Sequence, residues 1–215
     1  MIPPVRTTRA FAGALLAALS VAMPLTARSQ VAAGSGAAKT YPGRLPYVAA
    51  DVQFVTGMIS HHAQAIIMAN WAPSHGGSQA LQALCARIIN AQGDEIRLMQ
   101  MWLRDRQLPV PEAKPMPTKM TMNGMEHEML MPGMLTDDQM KQLDAARDAQ
   151  FDKLFLRFMI QHHQGAVAMV EQLLASTGAA QDEFVFRFQS DVYADQTTEI
   201  DRMQKMLFTL QLTAP

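Results

Sequence analysis

Asp51-Val52-Gln53-Phe54-Val55-Thr56-Gly57-Met58-Ile59-Ser60-His61-His62-Ala63-Gln64-Ala65-Ile66-Ile67-Met68 decides how this chain is read, because its frame returns 101 positions later. Asp51, Phe54, Met58, Ile59, His61, His62, Ala65 and Met68 reappear as Asp152, Phe155, Met159, Ile160, His162, His163, Ala166 and Met169. At 100° per residue, Asp51, Phe54, Met58, His62, Ala65 and Ala69 cluster on one helical face, with His61 flanking them. The spacing predicts a helix from about Tyr47 to Trp71. Met58 lies three and four residues before His61 and His62, so both imidazoles project near its thioether. The second copy repeats this with Met159, His162 and His163.

The repeat extends beyond the histidines. Ile88, Gln92, Glu95, Ile96 and Met99 match Val192, Gln196, Glu199, Ile200 and Met203 in spacing. Ser78 suits an N-cap for a helix ending near Gln107, before Pro109. Pro73-Ser74-His75-Gly76-Gly77 reads as a turn with a solvated His75. Thr136-x-x-Gln139 is a capping box opening a third helical stretch, which kinks near Asp148 before a helix over about 151–176. Gly178 suits a C-cap, and a last helix runs over about 182–210. Each half is a helical hairpin of a His-His helix and a Gln/Glu helix. Two such amphipathic hairpins bury their stripes best against each other, so the expected fold is an all-α four-helix bundle.

Between the halves the composition shifts. Residues 108–135 are rich in Pro and Met, and proline forbids a long helix there. They carry Met116, Met120, Met122, Met125, His127, Met129, Met131 and Met134. The Met125-x-His127-x-Met129-x-Met131 spacing presents alternating ligands along an extended strand. The bland alternative is a loop docked on the bundle by apolar Met contacts.

Composition narrows the function. Eighteen Met stand against three Tyr and two Trp in 215 residues. The single Cys, Cys85, excludes an intrachain disulfide and is expected in a small buried apolar role. Residues 1–29 have the pattern of a cleaved secretory signal: Arg6 and Arg9, an apolar run from Phe11 to Met23, then Ala27-Arg28-Ser29. An uncleaved anchor is the alternative. Losing that leader leaves 15 Lys and Arg against 19 Asp and Glu. No basic patch points to nucleic acid, and no later segment is apolar enough to span a membrane. Residues 30–46 read as a flexible lead-in, 47–107 as the first hairpin, 108–135 as the linker and 136–215 as the second hairpin, with one bundle over 47–215.

His and Met together favour copper over magnesium or calcium, and thioethers suit Cu(I) in an oxidising compartment. The candidate metal ligands are Met58, His61, His62, Met159, His162 and His163, with Met125, His127, Met129, Met131 and Met134 as a softer set. Gln92, Glu95, Gln196 and Glu199 are placed to support the imidazoles from behind. The competing account is a polar layer in which these histidines bond the Gln and Glu side chains and fix helix register. Adjacent helical residues diverge by 100°, so His61 and His62 cannot easily share one ion. No nucleophile–base pair or phosphate loop is present.

The frame Phe-x-x-x-Met-Ile-x-His-His-x-x-Ala at Phe54–Ala65 and Phe155–Ala166 resembles the domain of unknown function 305 family. The Gln-x-x-Glu-Ile helices and Met131-Pro132-Gly133-Met134-Leu135 add to the likeness. The resemblance implies a ferritin-like four-helix bundle, export from a bacterial cell and copper binding by Met- and His-rich members. It carries metal binding to Met58, His61, His62, Met159, His162 and His163. The chain lacks the Glu-x-x-His pairs of ferritin-like di-iron enzymes, so ferroxidase chemistry is not expected. Gln150 stands where family members often carry a glycine, which bears on the helix break there.

The expected function is thus a periplasmic protein that sequesters or carries copper, or another transition metal, and hands it to a transport or resistance partner. A metal-dependent oxidoreductase and a metal-free helical interaction module are the alternatives.

Overall fold

The computed structural model describes residues 46–122 and 125–212, with side chains described throughout except at 118–128. The leader assigned to 1–29 and nearly all of the 30–46 lead-in lie outside the described residues. Five helices follow in order: α1 Ala49–Asn70, α2 Gln79–Asp105, α3 Asp137–Ala145, α4 Asp148–Leu174 and α5 Glu183–Leu212. Between α2 and α3 the linker forms an antiparallel two-stranded sheet, β1 Thr118–Met122 and β2 Met125–Met129. The register pairs Met120 with His127 and Met122 with Met125. The all-α expectation is therefore modified by one small hairpin in the Met-rich linker.

The helix ends have local causes. Ser78 Oγ accepts from Leu81 N and caps α2. Thr136 and Gln139 bond each other's backbone N–H reciprocally, which opens α3 as a capping box. The expected kink near Asp148 is a full break between two helices: Ala146 and Arg147 are extended, and Asp148 takes φ +53°. The break thus falls before Gln150, and α4 starts three residues earlier than the pattern indicated. Asp148 N donates to His75 O (2.8 Å), so the turn after α1 fixes the start of α4. His75 is accordingly buried rather than solvated. It is 6% exposed, bonds Ser74 and Asp144, and packs on the rings of Trp71 and Phe151.

α1 packs on α2, α4 packs on α5, and α1 also meets α4. Four long helices cross the same three layers. One apolar cluster takes Phe54, Val55 and Met58 of α1, Met99 and Trp102 of α2, Val170 and Leu173 of α4, and Val185 and Phe188 of α5. The other takes Met68 of α1, Leu81 and Ile88 of α2, Phe151, Phe155 and Met159 of α4, and Met203 of α5. Burying each such side chain contributes about 1.5–3 kcal/mol. Between the clusters lies a polar layer of His61, His62, His162, His163, Gln92 and Gln196, each 3% exposed or less. Cys85 is buried in the second cluster, and burial pushes its thiol up to about 12.

The repeated aspartates join the halves crosswise. Asp51 of α1 accepts from Ala180 N (2.7 Å), in the turn before α5. Asp152 of α4 accepts from Ser78 N (3.1 Å), at the start of α2. Each frame thus ties its own hairpin to the turn of the other. At the α2/α5 end, buried Asp182 pairs with Arg106, accepts from Trp102 Nε1 (2.9 Å) and caps the first turn of α5.

Candidate metal centre

The four imidazoles form one connected series across the middle layer. His61 of α1 and His162 of α4 meet at its centre, with ring centroids 3.8 Å apart and planes tilted by 41°. His62 lies 6.4 Å from His61, and His163 lies 6.3 Å from His162. Adjacent residues on each helix diverge, so one ring of each pair points to the opposite helix and the other lies to the side. A carboxylate stands at each end of the series. His163 Nε2 hydrogen-bonds Glu199 Oε2 at 2.7 Å. His62 Nε2 lies 2.6 Å from Glu95 Oε2, out of line for a hydrogen bond.

All four rings are 0% exposed. Burial, reinforced by the neighbouring imidazoles, lowers His61 to about 3. The same causes hold His162 well below its ordinary value. The central pair is therefore neutral at physiological pH, the form in which imidazole donates a lone pair to a metal. Outside the layer, Asp195 of α5 is raised by burial and by the carboxylates of Glu95 and Glu199.

Many polar atoms of the layer lack partners. Nδ1 of His61, His62 and His163 is buried without a hydrogen bond, as are both side-chain polar atoms of Gln92 and Oε1 of Gln196. Neither ring nitrogen of His162 has an aligned partner. A buried lone pair left without a donor is costly, and an imidazole lone pair of this kind can serve a metal as a ligand. Of the competing register-fixing network, the His163–Glu199 bond is present, while the side chain of Gln92 bonds none of the imidazoles. Met58 and Met159, one turn ahead of the imidazoles, are fully buried. Among the described residues, no three His, Cys, Asp or Glu side chains already converge at ligating distance. Nitrogen and thioether donors together, with ring rotation, are what this layer can supply to a soft ion.

The linker's candidate ligands are spread out. Met129 is exposed, Met131 is half-buried against the first apolar cluster, and Met134 is buried. The side chains of Met125 and His127 lie outside the described residues.

One element of the site was missed in the sequence. Met131–Leu135 lies as a strap beside the imidazoles. His61 Nε2 donates to Pro132 O (3.0 Å). Gln64 bonds Leu135 twice, accepting from its N–H (2.7 Å) and donating to its carbonyl (3.0 Å). Gln161 Nε2 donates to Gly133 O (3.3 Å). A Cβ on Gly165 would stand 1.9 Å from Pro132 O, so only glycine lets the strap this close. The signal was in the repeat itself: Gln64 faces Gly165 in the alignment of the two copies, and Ser60 faces Gln161. All four touch the linker: Ser60 Oγ accepts from Met116 N (2.6 Å), and the other three meet Met131–Leu135.

The chain is a predominantly helical protein with a buried His/Met layer. It belongs to the DUF305 family, whose domain of unknown function matches residues 51–207. No curated protein matches it. Among solved structures it is similar to a DUF305 fragment from Deinococcus radiodurans, at 27% identity and a TM-score of 0.62, covering 76% of this chain and 98% of that one. A DUF305 protein from Streptomyces coelicolor, described as a candidate secreted protein, matches at 27% identity and a TM-score of 0.62, covering 75% and 94%. CopM in its Cu(II)-bound form matches at 29% identity and a TM-score of 0.57, covering 74% and 96%. CopM structures with Cu(I) and with Ag bound match at 28% identity.

Proposed function

We propose that this protein is an exported copper-binding protein that sequesters or carries the ion and passes it to a transport or resistance partner. Its helices are read as a ferritin-like four-helix bundle of two repeated hairpins over 47–215. The observation that carries the reading is the central pair, His61 and His162: buried, neutral, 3.8 Å apart and without an aligned donor to either free nitrogen. His61, His62, His162 and His163 would hold the ion with Met58 and Met159, while Glu95 and Glu199 orient the outer imidazoles. Met125, His127, Met129, Met131 and Met134 form a separate, softer ligand set for Cu(I). Further support comes from CopM, whose structures carry Cu(I), Cu(II) and Ag. Export rests on the leader pattern of residues 1–29, with cleavage before Gln30 into the periplasm. No described helix is long and apolar enough to cross a membrane.

The test is a Cu(I) titration of the chain from Gln30 against a competing chelator. Replacing His61, His62, His162 and His163 together with Gln should weaken the tighter site at least tenfold, while helical circular dichroism is retained. Unchanged affinity removes the layer from the account. Replacing Met116, Met120, Met122, Met125 and Met129 with Leu should lower the number of Cu(I) ions bound.

A further inference from the structure

We infer that His61, His62 and His163, on one ion or on separate ions, each ligate copper through Nδ1 and not Nε2, and that the Pro132 carbonyl, Glu95 and Glu199 impose this choice. The inference rests on the copper-binding reading and adds which atom binds and what positions it. A neutral imidazole carries one proton, and the hydrogen bond made by one nitrogen decides which nitrogen stays free. His61 Nε2 lies 3.0 Å from Pro132 O. A carbonyl can only accept, so the proton is on Nε2 and the Nδ1 lone pair is free. His163 Nε2 bonds a Glu199 carboxylate oxygen at 2.7 Å. A carboxylate oxygen at that distance accepts from Nε2–H, which leaves the Nδ1 lone pair of the neutral ring free.

His62 shows the same arrangement without the alignment. Its Nε2 is 2.6 Å from Glu95 Oε2. Two lone pairs at that distance repel, and a proton on Nε2 turns the contact into attraction. In each of the three rings the other nitrogen, Nδ1, is buried and has no partner. Two hydrogen-bond acceptors, on the strap and on α5, and the Glu95 carboxylate of α2 therefore all stand at the Nε2 edge. At His162 neither nitrogen has an aligned partner, and the neighbouring His61 backbone acts on its ring.

Glu95, Glu199 and the strap are thus positioning groups, and their effect is visible before any metal is added. Full-length mature chain labelled with 15N-histidine, metal-free at pH 8, should show Nε2–H tautomers for His61, His62 and His163 in long-range 1H–15N correlation spectra, assigned with single His→Gln variants. Anaerobic Cu(I) should then move the Nδ1 resonances. Nδ1–H or doubly protonated rings in the metal-free chain, or Cu(I) shifts confined to Nε2, would overturn the inference while leaving copper binding intact. Cu(I) that moves no imidazole signal would overturn the copper reading of the layer and the ligation with it. Glu199→Gln keeps the shape but can donate to Nε2. It should move His163 toward the Nδ1–H tautomer and weaken Cu(I) binding by about 10–100-fold, with helicity unchanged. A His163 that keeps its Nε2–H and full affinity in that variant would also sink the inference.

Discussion

Gln64 and Gly165 occupy equivalent places in the two frames and do opposite things: one grips the strap, the other makes room for it. Gly165→Ala should be the more damaging change. Its methyl would meet the backbone of Pro132, which cannot turn aside as a side chain can. Overpacking of this kind costs about 1–3 kcal/mol, to be read from urea unfolding of the metal-free chain. Ala at Gly93, where an added Cβ would meet only the end of Arg97, should instead leave stability unchanged or raise it, since alanine suits a helix interior. If both glycines tolerate alanine equally, the strap is not held as described.

The elements divide into those written locally and those that are not. The Thr136 capping box and the Ser78 cap were legible because each is closed by residues three positions away. Thr136→Ala should cost about 1 kcal/mol, checked by the same unfolding measurement. The His-His helices were legible too, since a frame of apolar and ligand residues at helical spacing appears twice. The family likeness built on that frame holds over residues 51–207. The burial of His75 was not legible. A histidine among Pro, Ser and Gly looks like a surface turn, and its partners Asp144 and Phe151 lie about seventy residues on. The strap was hidden for the same reason: Met131–Leu135 has no periodicity, and its contacts are with α1 and α4 rather than its neighbours. The break at Ala146–Arg147 was legible only as a kink near Asp148, because no proline or glycine marks it. It is fixed by the His75 carbonyl from another turn.

At the scale of the whole molecule, the metal-free layer makes stability depend on pH. Above about 6.5 the central histidines are neutral in both folded and unfolded chains. Below it the unfolded chain takes up protons that His61, lowered to about 3, refuses. Stability should therefore fall as pH drops from about 6.5 toward 3. His162 acts in the same direction. Urea midpoints across this range should fall, and His61→Gln with His162→Gln should flatten the slope; an equal slope in the variant would contradict the assignment. The crossed aspartates carry another consequence. Asp51 serves the turn before α5, and Asp152 serves the turn that starts α2, so each hairpin completes the other's turn. Each is an incomplete object whose missing piece is carried by its counterpart. That is the relation of two subunits in a symmetric pair, here written into one polypeptide. Because one polypeptide carries both halves, the joining segment, which a pair of identical chains would carry twice or not at all, occurs once and lies as a single asymmetric strap beside the histidines.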